Sequence, residues 1–232
     1  KPQMCMSLVN YFSFAISPLL IIVFVLYLKF KFSIKSYANI RNAILLGVIC
    51  VVLLIFANFL IDLKWDGNYK NMRRMAFFVF VIIAFSSEFA KFIPLKFSFY
   101  KLKNFGGPLE GLVYSIFISL GFSMAATVLY AFGLVGSLDK FHNFTLFLYT
   151  LPFANVVFAI AMGFFVGMAK LRKNTFIDSA TGLFVATFFH GLYYFGFVTY
   201  DIRLLIFDAI GFTVIGVTFV VKSVSLKLED RS

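Results

Sequence analysis

Two ionisable residues lie close together in a part of the chain that is otherwise apolar. Glu88 and Lys91 directly follow the apolar run Met75–Phe85. A charge within a segment of hydrocarbon length is energetically expensive, so we treat both as candidates for function. Glu88 could act as a general base or a metal ligand, and Lys91 could stabilise an anion in the same site. The simpler alternative is an interfacial pair at i,i+3 spacing, with the lysine reaching the lipid headgroups.

A histidine in a later apolar run is the second candidate. His190 lies near the middle of Ser179–Phe197. The residues that share its helical face are Thr187, Tyr193 and Tyr194. His190 could ligate a metal, transfer a proton or stabilise an oxyanion, and the alternative is a neutral core histidine bonded to a tyrosine. A divalent metal such as zinc would find candidate ligands in Glu88 and His190, although the sequence does not require one.

Neutral polar and small residues recur in the fourth and fifth apolar runs. Four hydroxyl residues spaced by four lie on one helical face, and we interpret them as a packing surface rather than a polar pathway: Ser115, Ser119, Ser123 and Thr127. Asn155 carries an amide that can bond between helices, and Gly163 and Gly167 form a GxxxG pattern that predicts close helix packing. No serine has a base at readable spacing, so the sequence does not support a serine nucleophile.

Composition indicates the environment in which these residues work. Of the 232 residues, 62% are hydrophobic and 13% are charged, whereas a soluble domain has about 45–50% and about 25%. The chain is therefore predicted to be an all-α polytopic bundle in a lipid bilayer, because helices satisfy their own backbone polar groups there. The net charge of +11 does not indicate a nucleic-acid partner, since the lysines and arginines lie in short loops between apolar runs.

Seven apolar runs are long enough to cross a membrane, at about 20 residues each. They are predicted at Leu8–Leu28, Ala43–Ile61, Met75–Ile93, Gly111–Gly133, Phe144–Met168, Ser179–Phe197 and Leu204–Val221. Pro18 predicts a kink in the first. Neither a repeat of fixed period nor a long linker is visible, so residues 1–232 are predicted to form one domain. The polar tail Lys222–Ser232 is expected to fray.

The distribution of basic residues predicts an orientation. More lysines and arginines lie in the loops that would share a side with the C-terminus, which places the N-terminus outside and the C-terminus in the cytoplasm. The loop after the second span argues the other way, because it carries Lys64, Lys70, Arg73 and Arg74.

Several short motifs occur in a characteristic order. They are Ser87-Glu88-Phe89-Ala90-Lys91, Glu110-Gly111, Gly121-Phe122, Ala126-Thr127, Leu151-Pro152-Phe153-Ala154-Asn155 and His190-Gly191-Leu192-Tyr193. This order, across about residues 75–197, resembles the PrsW family of intramembrane endopeptidases, which is distantly related to the type II CAAX-prenyl proteases. The family pattern has a glutamate where Ser87 stands, Glu-Asn where Ala126-Thr127 stands, and a histidine where Ala154 or Asn155 stands. The resemblance therefore implies an active-site motif with several expected acids and one histidine substituted.

The resemblance also implies roles for the residues that remain. In the family, paired glutamates are thought to activate water for attack on a peptide carbonyl, assisted by histidine or asparagine groups. This implies an integral protein of a bacterial cytoplasmic membrane that cleaves membrane-anchored proteins near the bilayer surface. Glu88 would be the base, and His190, with Asn155, would stabilise the oxyanion. Lys91, Ser87 and Thr127 would support the site.

Two alternatives remain open from the sequence. The chain could be an inactive pseudoprotease that binds a single-span membrane protein without cutting it. It could also be a small transporter or channel subunit, with Glu88 and His190 as a proton relay. A peptidase requires the Glu88 carboxylate and the His190 imidazole to face one water-accessible cavity within about 8 Å, so that each can bond an intervening water or metal.

Overall fold

The fold is a bundle of membrane-spanning helices. A computed structural model describes residues 8–32, 36–64, 71–135 and 143–229. Within these ranges the regular structure is entirely helical, and seven helical segments are long and apolar enough to cross a membrane. The predicted all-α architecture with seven spans is confirmed, and the protein is an integral membrane protein.

The helices are bounded as follows. The first span contains α1 (Leu8–Phe12), a 3-10 turn (Ser13–Ala15) and α2 (Ile16–Phe32), and the second is α3 (Tyr37–Lys64). The third contains α4 (Met72–Phe77), a π-helical segment (Phe78–Phe85), α5 (Ser86–Pro94) and a second π-helical segment (Leu95–Phe99). The remaining four are α6 (Pro108–Ala131), α7 (Phe144–Arg172), α8 (Thr175–Thr199) and α9 (Ile202–Glu229).

Two local predictions have different outcomes. The 3-10 turn precedes Pro18, which has no N–H to donate to the carbonyl of Phe14, so the first span is irregular where a kink was predicted. The prediction that the tail frays is wrong for its described part, because α9 continues to Glu229. There Nζ of Lys227 forms an ion pair with Oε1 of Glu110 at 2.8 Å. Residues 230–232 and the loop residues 65–70, which include Lys70, lie outside the described ranges.

Helix α6 lies at the centre of the bundle. Its predicted row of hydroxyl residues is buried, with at most 3% of each residue exposed: Ser115, Ser119, Ser123 and Thr127. Buried residues occur on every side of this helix, so α6 is surrounded by protein rather than by lipid. The interpretation of the row as a packing surface is consistent with this burial.

Glycines bring α6 into backbone contact with its two main neighbours. A Cβ atom at Gly121 would clash with the carbonyl of Ile44 on α3. A Cβ at Gly163 on α7 would lie 2.5 Å from the carbonyl oxygen of Gly111. A Cβ at Gly167 would clash with the backbone of Pro108. The close packing predicted from the GxxxG pattern is therefore confirmed, and it fixes α7 against the first turns of α6.

Candidate active site

The third span presents its polar residues to the bundle and its aromatic residues outward. The outward face carries large apolar side chains spaced by four, which are Phe85, Phe89, Ile93 and Phe97. The inward face carries Ser87, Glu88 and Lys91, each at most 1% exposed. Lipid offers no hydrogen bonds to polar side chains, so this helix is stable only with its polar face turned toward protein.

A proline within α5 frees a backbone carbonyl that forms a hydrogen bond with α3. Pro94 has no N–H, so the carbonyl of Ala90 loses the donor that it would have in an uninterrupted helix. The thiol of Cys50 on α3 donates to that carbonyl, with Sγ 3.0 Å from the oxygen. The freed backbone acceptor is thereby satisfied, and α5 is attached to α3 one residue before Lys91.

Glu88 lies at the centre of a buried polar cluster. Its Oε1 accepts from Nζ of Lys91 at 2.5 Å and contacts Nδ1 of His190 at 2.7 Å. Because an ionised carboxylate can only accept, Nδ1 carries the proton of this contact. Glu88 is fully buried, and Lys91 and His190 are 1% and 3% exposed. The charge of the carboxylate is therefore balanced inside the bundle rather than by water.

Lys91 has two further partners. Its Nζ donates to Oδ1 of Asn155 at 2.7 Å, and it lies 4.9 Å from the ring centroid of Phe122. Asn155 is oriented by its own side chain, since Nδ2 donates to the carbonyl of Leu151 at 3.0 Å. A carboxylate, an amide oxygen and an aromatic face together replace the hydration of the ammonium group, which allows a lysine to be buried at this depth.

His190 lies on α8 and is held by close packing against α7 and the third span. The ring of Phe158 stacks on the imidazole, with centroids 5.0 Å apart and planes at 15°. The next residue, Gly191, has no room for a Cβ, because that atom would clash with the ring of Phe80 in the first π-helical segment. The glycine therefore allows α8 to approach the third span closely enough for His190 to reach Glu88.

The structure brings together four of the six residues predicted for the site: Glu88, Lys91, Asn155 and His190. The hydroxyls of Ser87 and Thr127 are buried and have no hydrogen-bond partner in the part of the chain that the structure describes. Oε2 of Glu88 also has no partner there. The second carboxylate oxygen is thus available for a group that enters the site.

Sequence reasoning missed three residues that shape the site. Cys50 could have been found from Pro94, since a proline in a span frees the carbonyl four residues earlier. Phe158 follows Asn155 by three residues and so lies on the same helical face. Phe122 belongs to the Gly121-Phe122 motif, but nothing in that motif indicates that its ring contacts a lysine.

The site differs from the prediction in its access to water. The Glu88 carboxylate and the His190 imidazole are in direct contact, well within the predicted 8 Å. The clustered side chains are, however, only 0–3% exposed: Glu88, Lys91, Asn155 and His190. In this conformation bulk water does not reach the carboxylate.

The fold and the site together define a class, that of polytopic helical membrane proteins with a buried Glu–His pair linked to a lysine and an asparagine. A family model described as PrsW family intramembrane metalloprotease matches residues 36–224. This is most of the chain, and the protein therefore belongs to the PrsW family.

Curated relatives agree with this assignment. The chain is 29% identical over 196 residues to Protease PrsW of Oceanobacillus iheyensis, covering 83% of this chain and 86% of the relative. It is 26% identical over 164 residues to Protease PrsW of Clostridioides difficile, covering 70% and 67%. It is 28% identical over 172 residues to Protease PrsW of Geobacillus kaustophilus, covering 72% and 70%. No solved structure matches the chain.

The family description includes a metal, and the residues of this site can be tested against one. Among the described residues, no group of three or more His, Cys, Asp and Glu side chains is arranged to hold a metal ion. Catalytic zinc sites have three protein ligands, whereas Glu88 and His190 provide two. The Lys91 ammonium lies 2.5 Å from Glu88 Oε1 and 2.7 Å from Asn155 Oδ1, in the place that a cation would take between these oxygens. The observed arrangement therefore does not fit a metal.

Proposed function

We propose that this protein is an intramembrane endopeptidase that hydrolyses a peptide bond of membrane-anchored proteins near the bilayer surface. The observation that carries the proposal is the 2.7 Å contact between His190 Nδ1 and Glu88 Oε1 inside a bundle of the PrsW family. A carboxylate and an imidazole in direct contact form a pair that can move a proton between water and a substrate.

The chemistry follows from the two oxygens of Glu88. Oε1 is held by Lys91 and His190, while Oε2 can take a proton from a water molecule that attacks the carbonyl carbon of the peptide. The C–N bond then breaks, and the proton passes from Glu88 to the departing nitrogen. Lys91 is the group placed to stabilise the oxyanion, because its ammonium has a third N–H beyond those given to Glu88 and Asn155, whereas the proton of His190 Nδ1 is already donated to Oε1. Asn155 acts through Lys91, because its oxygen accepts from that ammonium.

Two conditions apply to this mechanism. The cluster is closed, so hydrolysis requires a movement that admits water and substrate. A metal held by Glu88 and His190 would require the Lys91 ammonium to leave Glu88, and the mechanism therefore uses none.

A second candidate function is favoured by one observation. The ion pair of Lys91 with Glu88 holds the only carboxylate of the cluster in a buried, compensated state, and Ser87 stands where the family pattern has another glutamate. A substituted motif of this kind suits a pseudoprotease that binds a transmembrane partner without cutting it.

Cleavage of a membrane-anchored reporter in vesicles distinguishes the two functions. For the peptidase, Glu88→Gln should reduce cleavage by at least about 100-fold, the usual contribution of a general base. The matched variant Glu229→Gln, which changes an exposed glutamate at the end of α9, should cleave like the unaltered protein.

The remaining outcomes are also informative. Equal cleavage by the Glu88→Gln variant and the unaltered protein would remove Glu88 from the mechanism. Failure of both to cleave a panel of reporters would support the pseudoprotease. Loss of activity on treatment with a chelator, restored by zinc, would contradict a mechanism without a metal.

A further inference from the structure

A groove runs between α7, α8 and α9, on the side of the bundle where α9 begins. Its volume is about 390 Å³ and its lining is almost entirely apolar. The lining extends from Leu146 to Val157 on α7 and from Ile202 to Thr213 on α9, with Tyr193 and Phe197 contributed by α8. About three turns of each of α7 and α9 are involved, so the groove is long enough for a helix to lie along it.

The lining contains one acidic residue, Asp208. This residue is 3% exposed, and neither of its carboxylate oxygens has a hydrogen-bond partner within the described ranges. The hydroxyls around it are engaged elsewhere. Thr150 Oγ1 bonds to Tyr193 Oη at 2.8 Å and donates to the carbonyl of Leu146 at 2.7 Å. Thr213 Oγ1 donates to the carbonyl of Ala209 at 2.7 Å. Asp208 is therefore the polar side chain of this lining whose hydrogen-bonding capacity is not satisfied within the described ranges.

The depth of Asp208 limits what that partner can be. It lies six residues beyond Ile202, the first residue of α9, which is about 9 Å along a helix axis. An unpaired carboxylate at hydrocarbon depth is energetically unfavourable. The amine of a lipid headgroup lies at the membrane surface, whereas the side chain of a neighbouring transmembrane helix can present a cation at this depth.

We propose that this groove binds a transmembrane segment of another protein that carries one lysine or arginine, whose cation pairs with Asp208. An apolar helix in an apolar groove provides the contact area. The methylene stem of the basic side chain would pack against aromatic residues of the lining such as Phe153 and Phe197. The carboxylate then selects the segment, because a purely apolar helix leaves Asp208 unpaired.

The groove lies one aromatic ring from the Glu88 cluster. Tyr193 and Phe212, both in the lining, have ring centroids 6.0 and 5.7 Å from that of Phe158. The ring of Phe158 stacks on His190. A bound segment therefore lies beside the candidate active site. The identification of this segment as a substrate rests on the proposed function, but the binding itself does not.

The test measures binding rather than cleavage. The purified full-length chain, carrying a fluorescent donor, is placed in phosphatidylcholine vesicles with acceptor-labelled polyleucine transmembrane peptides. One peptide has a single lysine about 9 Å from its end, and the matched peptide has leucine at that position. We expect the lysine peptide to bind at least about tenfold more tightly, which corresponds to about 1.4 kcal/mol.

Variants of Asp208 assign this preference to the groove. Asp208→Asn should abolish it, and Asp208→Glu, which keeps the carboxylate, should retain it. Asp208→Lys should instead favour a peptide with glutamate in place of lysine. Asp201→Asn is the matched control, because Asp201 is exposed just before α9 and only caps it, accepting from the N–H groups of Arg203 at 2.9 Å and Leu204 at 3.3 Å.

Three results would overturn the proposal. They are equal affinity for the two peptides, a lysine preference that survives in Asp208→Asn, and loss of the preference when phosphatidylethanolamine replaces half of the lipid. The last result would identify the occupant as a lipid amine. The same titration with the Glu88→Gln protein separates the two proposals, because it measures binding without cleavage. A lysine preference that persists in this variant supports the groove whether or not Glu88 is the base of a peptidase.

Discussion

Glu88 and Asp208 are both buried in membrane-spanning helices, and their surroundings differ. Oε1 of Glu88 contacts both Lys91 and His190 within 2.7 Å. Asp208, on α9, has no hydrogen-bond partner for either oxygen among the described residues. The difference shows that burial of an acid does not define its role. Glu88 is compensated by its own chain, whereas Asp208 requires a proton or a partner from outside.

The comparison is tested most severely by removing the cation from Glu88. Lys91→Met leaves a buried carboxylate without its ammonium, and loss of one member of a buried ion pair destabilises a protein by about 3–5 kcal/mol. We expect a large fall in the thermal unfolding midpoint in detergent. Addition of Glu88→Gln to the same protein should recover most of the loss, because the unpaired charge is then gone. An unchanged midpoint for Lys91→Met would mean that the ion pair does not balance the site.

Glycine substitutions compare the packing of the helix that carries Asn155 with that of the helix that carries Asp208. Gly163→Ala places a Cβ 2.5 Å from the carbonyl oxygen of Gly111 and forces α7 from α6. Overpacking of this kind costs about 1–3 kcal/mol, and it displaces the helix that carries Asn155. Gly211→Ala, near Asp208, is the matched control, because nothing lies within 4 Å of the added atom. We expect only the first variant to lower the unfolding midpoint, and an equal effect of both would contradict the close crossing of α6 and α7.

The thiol of Cys50 tests how α5 is held. Cys50→Ala removes the donor to the Ala90 carbonyl, and a buried acceptor left without a partner costs about 1–3 kcal/mol. Because a thiol is a weak donor, we expect the lower end of this range, measured as denaturant unfolding in mixed micelles. Cys50→Ser keeps a donor and should lose less. If serine and alanine have the same effect, the hydrogen bond contributes nothing.

Asp208→Asn should have the smallest effect on stability. No observed contact is lost, and an unpaired charge is removed from a low-dielectric region. We expect the free energy of unfolding to stay the same or to rise by up to about 1 kcal/mol. A loss as large as that of Lys91→Met would show that Asp208 already has a strong partner within the chain, and the two acids would then be alike.

The spans were predictable, while the contacts between them were not. The seven apolar runs identify the helices, and the i,i+3 spacing of Glu88 and Lys91 predicts that they can pair. His190 and Asn155 are distant from Glu88 in the sequence, and no local pattern shows that they meet it. The resemblance to a family indicated which residues to compare, but their distances depend on packing at Gly163 and Gly191.

Two features misled the sequence reasoning for physical reasons. The polar composition after Lys222 indicated a solvated tail, yet Ser223 is buried and Lys227 pairs with Glu110. Asp208 was missed although the reasoning applied to Glu88 covers any acid in an apolar run, and the sequence gives no sign of what surrounds it. The groove that Asp208 lines is formed by three helices that are separate in the sequence, α7, α8 and α9.

The π-helical segment Phe78–Phe85 has a consequence for how the length of the third span can change. Each hydrogen-bonded loop of a π-helix holds one residue more than that of an α-helix. Loss of one residue from this segment can therefore be absorbed by conversion of a wide turn to an α-helical one, which keeps Glu88 directed inward. Loss of a residue between Glu88 and Lys91 has no such remedy, because a spacing of two places the side chains on different faces. The span can thus absorb the deletion of one residue just before its inward face, and not within it.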